Sequence, residues 1–135
     1  MKTISVLLIA LISLCSYKTF AQQKTGTICF IRANGYVGSM VNDKVYIDDS
    51  LVCKLKNKQY SIHTVPAGAH TVAVNPGGLS TQKRSTPLTI TVEAGKTTYI
   101  DIAWADKVSC QELTANSATL KMQKLKQNNK CLSDK

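Results

Sequence analysis

The sequence predicts a small, mainly all-β domain: an antiparallel β-sandwich of about seven or eight short strands, ending in a short α-helix. Three observations carry this. Short runs of alternating apolar and polar residues recur between Gly, Pro and Asn turns across 45–55 and 60–74. A further clean alternation follows Pro87. Good helix formers on a 3.6-residue period gather only near the C-terminus, beyond residue 114.

The chain opens with an export signal. Lys2 supplies the positive start, residues 4–14 form an apolar stretch of secretory length, and Thr19-Phe20-Ala21 offers the small residue at a cleavage site. Residues 1–21 are therefore read as a signal peptide, 22–113 as the sandwich and 114–135 as a helix and tail packed on it. Cys15 raises a lipoprotein alternative. Leu14 before it is larger than that processing accepts, so simple release to the periplasm or exterior is preferred. The apolar stretch is too short to span a bilayer, and no transmembrane segment is expected in the mature chain. Removing Lys2 and Lys18 lowers the formal charge from +9 to +7, over a mature chain of 114 of the 135 residues. Such basicity in an exported domain suits acidic surfaces or polymers, or solubility alone.

The elements follow in order. Residues 25–32 are apolar through Ile28-Cys29-Phe30-Ile31, as in a strand covered on both faces. Asn34-Gly35 is a turn pair, and 36–41 reads as an irregular strand or a loop at a sheet edge. Residues 44–48 and 51–55 make a hairpin, with Leu51, Cys53 and Leu55 on one face. Val65-Pro66-Ala67-Gly68-Ala69 has the chemistry of a tight loop. It predicts a second hairpin that pairs Val65 with Ala69 and Ile62 with Val72. That register places Tyr60, Ile62, His70, Val72 and Val74 on one face, and Ser61, His63, Thr71 and Ala73 on the other. Residues 75–86 form a long polar loop carrying Lys83-Arg84. Leu88, Ile90 and Val92 face inward on the next strand. After a turn at 94–96, Ile100, Ile102 and Trp104 do the same, and these two strands are expected to pair with each other. A strand over 108–113 precedes a helix capped by Asn116 or Ser117 and running to about Gln127. Its apolar stripe is Ala118, Met122 and Leu125, opposite Lys121, Lys124 and Lys126.

Four cysteines remain after cleavage, an even number that favours disulfides in an exported domain. No two show the close spacing of structural zinc sites, so no metal and no cofactor are expected. Pairing Cys110 with Cys131 would clamp the helix to the sheet, which leaves Cys29 to pair with Cys53. The alternative for these last two is a pair of buried free thiols.

Catalytic constellations are sparse. The register above points His63 and His70 to opposite faces, and Asp48-Asp49 lack further acids at calcium-loop spacing. Asp101 and Asp106 lie near Trp104 without a second acid spaced for acid–base work. Aromatic residues do not interleave with Lys and Arg as a nucleic-acid platform needs. The expected function is a non-catalytic accessory or binding module of the cell envelope, whose partner is an envelope protein or an anionic polymer. Its surface would be the 75–86 loop together with the basic helix: Lys83, Arg84, Lys121 and Lys124. A hydrolase with an unfamiliar site, or an inert assembly subunit with an exposed edge strand, are the alternatives.

The succession of Arg32, Gly35 and Gly38, then Val45-Tyr46-Ile47-Asp48, Val52, Leu55 and Tyr60 resembles a known bacterial family. So do Pro66-x-Gly68-x-His70-Thr71 and Glu93-Ala94-Gly95-Lys96-Thr97-x-Tyr99 further on. The family is domain of unknown function 2846, and the resemblance covers about 25–125. The Tyr-x-Asp and Pro-x-Gly-x-His pieces are also similar to PEGA-type and carboxypeptidase-regulatory-like sandwiches. The chain departs from the pattern at Asp48-Asp49-Ser50, where Asp-Gly is usual, and at Lys58, where Gly is common. The resemblance implies an envelope or secreted module and brings no active site with it.

Overall fold

The computed structural model describes residues 22–35, 40–78 and 81–132; the expected signal peptide, Cys15 and Gly38 lie outside them. Two sheets pack face to face. The first has the strand order β8-β7-β1-β4-β9 and the second β3-β2-β5-β6. The strands are β1 (Thr25–Arg32), β2 (Asp43–Ile47), β3 (Ser50–Leu55), β4 (Gln59–Pro66), β5 (Gly68–Asn75), β6 (Leu88–Val92), β7 (Thr97–Trp104), β8 (Val108–Leu113) and β9 (Lys126–Gln127). Among the described residues one helix, α1 (Ala115–Met122), lies between β8 and β9.

β1 is central and covered on both faces, as its continuous apolar run requires. Ile28 and Phe30 enter the main core with Val45, Leu55, Val72, Val74, Ile90, Val92, Ile100 and Ile102. Cys29 and Ile31 face the other way, under Ala118, Met122 and Leu125 of the helical segment. Full burial of each Val, Ile, Leu or Phe side chain contributes about 1.5–3 kcal/mol, so this two-sided layer is the main source of stability.

Two expected pairings are corrected. β4 pairs with β1 in the first sheet, while β5 pairs with β2 and β6 in the second. The loop at Pro66–Gly68 is thus a crossing between sheets. Ala67 donates its N–H to the Lys24 carbonyl, and Gly68 takes φ 137°, a conformation open to glycine. The face of β4 is consequently reversed. Ser61 is buried, and His63 lies edge-on to Phe30 of the core. Tyr60 turns outward to pack beneath the helical segment. Likewise β6 and β7 are joined by the 93–96 turn but sit in different sheets, and β7 runs parallel to β1. The inward set Ile90, Val92, Ile100 and Ile102 stands as expected.

The β2–β3 hairpin forms with a two-residue turn in which Asp48 and Asp49 both have positive φ, 47° and 65°. A register shift between Val45 and Tyr46 makes Val52 the extra residue. Val52 turns onto the core, and Leu51 comes opposite Tyr46 on the outer face, not in line with Cys53 as expected. The helix is shorter than expected and is capped by Thr114, whose side chain accepts from the Ser117 N–H at 3.3 Å. It stops at Met122 because the chain turns back, Leu125 N–H donating to the Met122 carbonyl, to lay β9 along β4.

The disulfide joins Cys53 to Cys131, while Cys29 and Cys110 are free and buried. The expected pairs, Cys110–Cys131 and Cys29–Cys53, are therefore incorrect. Topology explains both. Cys110 is on β8, at the opposite edge of its sheet from β9, which leads into Cys131. Cys29 faces the helix while Cys53 faces the interior. After β9 the tail crosses from the β4 edge to the β3 edge. Asn128 N–H donates to the Tyr60 carbonyl, Asn128 Nδ2 to the Lys54 carbonyl, and Lys54 N–H to the Cys131 carbonyl. One side of the sandwich is closed in this way.

Candidate binding cleft

The other side holds a cleft of about 590 Å³ between β8 and the segment 82–88 that leads into β6. Its walls are apolar at Pro87, Leu88 and Val108, and Lys83, Arg84 and Lys107 supply positive charge. Ser85 fixes the segment beside β5 by exchanging two hydrogen bonds with the Val74 backbone. Cys110 forms part of the floor, and burial pushes its thiol up to about 12, so it stays protonated.

Arg84 is the unusual residue. Its guanidinium stacks on the Tyr46 ring at 3.7 Å, and Nη1 reaches Asp49 Oδ1 at 3.3 Å. Nε and Nη2 are covered and have no hydrogen-bond partner. These two donors form a fork suited to a carboxylate or phosphate, and covering them unpaired carries a desolvation cost.

Of the residues expected to share one binding surface, Lys83 and Arg84 are here and Lys121 and Lys124 are not. Tyr46, which carries Arg84, alternates with the core residues Val45 and Ile47 and so lies on the outer face of the second sheet. The helical segment packs on the outer face of the first sheet. The 75–86 loop and the helix do not form one surface. Lys121 is also engaged, with Nζ 2.6 Å from the buried Asp101 carboxylate, which fastens the helix to β7. Docking, not a free basic face, is the role the helix takes.

Two clusters outside the cleft account for the sequence motifs. At one end of the core, fully buried Arg32 and Asp43 pair, Nε to Oδ2, at 2.9 Å. Arg32 Nη1 donates to the carbonyls of Val41 and Leu55, and Trp104 Nε1 donates to Asp43 Oδ2 at 2.8 Å. Burial raises the Asp43 pKa, and the Trp104 hydrogen bond and the Arg32 charge pull it back. Burial lowers that of Arg32. Nothing in the sequence spacing marked Asp43 as the partner of Arg32 or of Trp104, the latter 61 residues further on.

The second cluster ties the two turns together. His70 Nδ1 lies 2.6 Å from Asp48 Oδ2, and Nε2 lies 2.7 Å from the Pro66 carbonyl. Asp48 Oδ1 accepts from the Thr71 N–H at 2.9 Å. Both ring nitrogens face acceptors, so the imidazolium, which donates twice, is the favoured form. The hydrogen bond to Asp48 raises the His70 pKa, and the Thr71 N–H lowers that of Asp48. The Tyr-x-Asp and Pro-x-Gly-x-His-Thr motifs are thus two halves of one clasp.

A match to the family described as Protein of unknown function (DUF2846) covers residues 22–122. The chain belongs to the DUF2846 family. No curated protein and no solved structure matches it. In this DUF2846 chain the matched region takes in both sheets, the clasp, the buried ion pair and the cleft, and ends with the helix; β9 and Cys131 lie beyond it. Among the described residues no helix is long and apolar enough to cross a membrane.

Proposed function

We propose that this DUF2846 chain is an exported, non-catalytic accessory module of the cell envelope that binds an anionic partner in the cleft beside β8. The observation that carries the reading is the Arg84 fork. A stacked guanidinium with two unpartnered donors, in a cleft that Lys83, Lys107 and apolar residues also line, complements a carboxylate or phosphate with an apolar body attached. The Cys53–Cys131 disulfide supports export, because such bonds persist in oxidising compartments. Both histidines support a structural use of the groups that catalysis would need. His70 has both nitrogens committed to the clasp, and His63 is held by the core.

The test is co-sedimentation of the mature protein with native envelope fractions at low and raised salt. Lys83→Glu with Lys107→Glu should abolish retention, and Arg84→Lys, which keeps the charge but loses the fork, should weaken it. Retention should also fall as salt screens the contacts. Unchanged retention in the charge-reversed variant overturns the cleft. Turnover of peptide, ester or glycan substrates that His70→Ala abolishes overturns the non-catalytic reading.

A further inference from the structure

The closed side of the sandwich contains a second grouping, independent of the cleft. Cys53 of β3, His63 of β4 and Cys131 of the tail place one ligating atom each within 4.8 Å of one another. As the protein stands the two sulfurs are bonded together. We propose that, once this disulfide is reduced, Cys53, Cys131 and His63 form a three-coordinate site for a thiophilic monovalent cation, Cu(I).

Five features favour it. Two thiolates and an imidazole are a soft donor set, which selects Cu(I) among common ions. Three protein ligands complete a trigonal ion, whereas zinc would need a fourth ligand such as water. The ring of His63 is held in place by Ser61 Oγ, 2.9 Å from Nε2, and by T-shaped contact with the Phe30 ring. Asn128 Nδ2 lies 3.7 Å from Cys53 Sγ, placed to donate to a thiolate sulfur. Cys53 is fully buried, so water is excluded from that side, while Cys131 is only partly covered and is the point of entry.

The reduction is a thiol–disulfide exchange with a dithiol reductant. A reductant thiolate attacks Cys131 Sγ, the S–S bond breaks and Cys53 leaves as the thiolate. The second reductant thiol then attacks the reductant sulfur bound to Cys131 and frees the Cys131 thiolate. The reductant departs as its own disulfide, oxidised by two electrons. Cu(I) then binds without changing oxidation state and displaces any protons that the two sulfurs have taken up.

The test uses the whole mature chain, residues 22–135, under anaerobic conditions. After incubation with excess dithiothreitol and its removal, Cu(I) is titrated against a chromogenic Cu(I) chelator. One Cu(I) per chain is expected. His63→Ala should lose at least tenfold in affinity, Cys53→Ser with Cys131→Ser should lose the site, and Cys29→Ala with Cys110→Ala should keep it. Because the reduced tail can detach, alkylation is followed in parallel by mass spectrometry, and Cu(I) should slow modification of Cys53 and Cys131. A disulfide that the dithiol leaves intact in the native protein overturns the proposal. So does unaltered affinity in His63→Ala, equal alkylation with and without Cu(I), or tighter binding of Zn(II) than of Cu(I).

Discussion

Removing the Cys53–Cys131 bond is the perturbation whose cost can be worked most directly. The bond spans 78 residues of sequence. In the chain-entropy treatment a loop of that length restricts the unfolded chain by about 4.5 kcal/mol. A domain of this size has roughly 5–15 kcal/mol of stability in all, so the bond accounts for a large share. The double variant Cys53→Ser, Cys131→Ser should therefore unfold at much lower urea. With a urea slope of about 2 kcal/mol per molar, the midpoint should fall by about 2 M. The tail's hydrogen bonds, among them those from Lys126 N–H to the Lys58 carbonyl, from Asn128 N–H to the Tyr60 carbonyl, from Asn128 Nδ2 to the Lys54 carbonyl and from Lys54 N–H to the Cys131 carbonyl, hold it less firmly than the bond does. Each contributes only about 0.5–1.5 kcal/mol net. Hydrogen exchange should accordingly show Lys54, Lys126 and Asn128 losing protection ahead of β1. A midpoint within about 0.5 M of the oxidised protein, with the tail amides still protected, would refute the argument.

Three further outcomes follow from the same contacts. Asp43→Ala leaves the Arg32 guanidinium buried without its counter-ion and should cost about 3–5 kcal/mol in urea unfolding; a loss under about 1 kcal/mol would mean that the pair is not closed in solution. For the clasp, the raised His70 pKa means that its contribution is complete below the ordinary value of 6.5 and is lost as pH rises through the raised value. The lowered Asp48 pKa means that its part is complete above 3.8 and is lost as pH falls through the depressed value. Stability conferred by the clasp should thus be greatest between these limits. His70→Ala should lower the thermal midpoint more at pH 6 than at pH 9, and an equal loss at both would count against the imidazolium. Lys58 sits at φ 60°, where a side chain is strained, and both of its backbone contacts survive loss of that side chain; Lys58→Gly should raise stability by about 0.5–1 kcal/mol in the same unfolding assay.

Strand positions were legible in the sequence because alternation and turn residues are local properties. Residues 88–92 and 97–104 lie where the pattern places them, and the continuous run at Ile28-Cys29-Phe30-Ile31 reports a strand covered twice. Partners were not legible. The loop Val65-Pro66-Ala67-Gly68-Ala69 has turn chemistry whether the chain returns alongside itself or crosses to the facing sheet, and only long-range packing separates the two. The reversed face of β4 has the same origin. Tyr60 looks like a core residue until a helix more than 50 residues later covers the outside, and Ser61 and His63 then turn inward. The cysteine pairing was not legible either: a clamp on the helix satisfies the same count of cysteines, whereas the two-residue β9 that carries Cys131 to β3 has no sequence signature. The cleft was half visible. Lys83-Arg84 stood out as a basic pair, but Lys107 enters from β8's side, and the helix lysines lie behind the other sheet.

The motifs that carry the family resemblance can now be separated from the residues proposed to recognise a ligand. Arg32 holds the Val41 and Leu55 carbonyls and Asp43. Asp48, Pro66, His70 and Thr71 make the clasp. Glu93, Gly95 and Lys96 shape the crossing from β6 to β7, where Gly95 N–H donates to the Thr25 carbonyl and Lys96 accepts from the Thr27 N–H. Each of these side chains or backbone groups is occupied in joining one turn or sheet to another. None of them lines the cleft, where Lys83, Arg84 and Lys107 stand outside every motif. A frame fixed by one set of residues can therefore carry a different set of charges at its open side without altering its fold. The motif residues accordingly define the scaffold, and under the proposed function partner identity is to be sought in the segment 82–88 and its neighbour across the cleft.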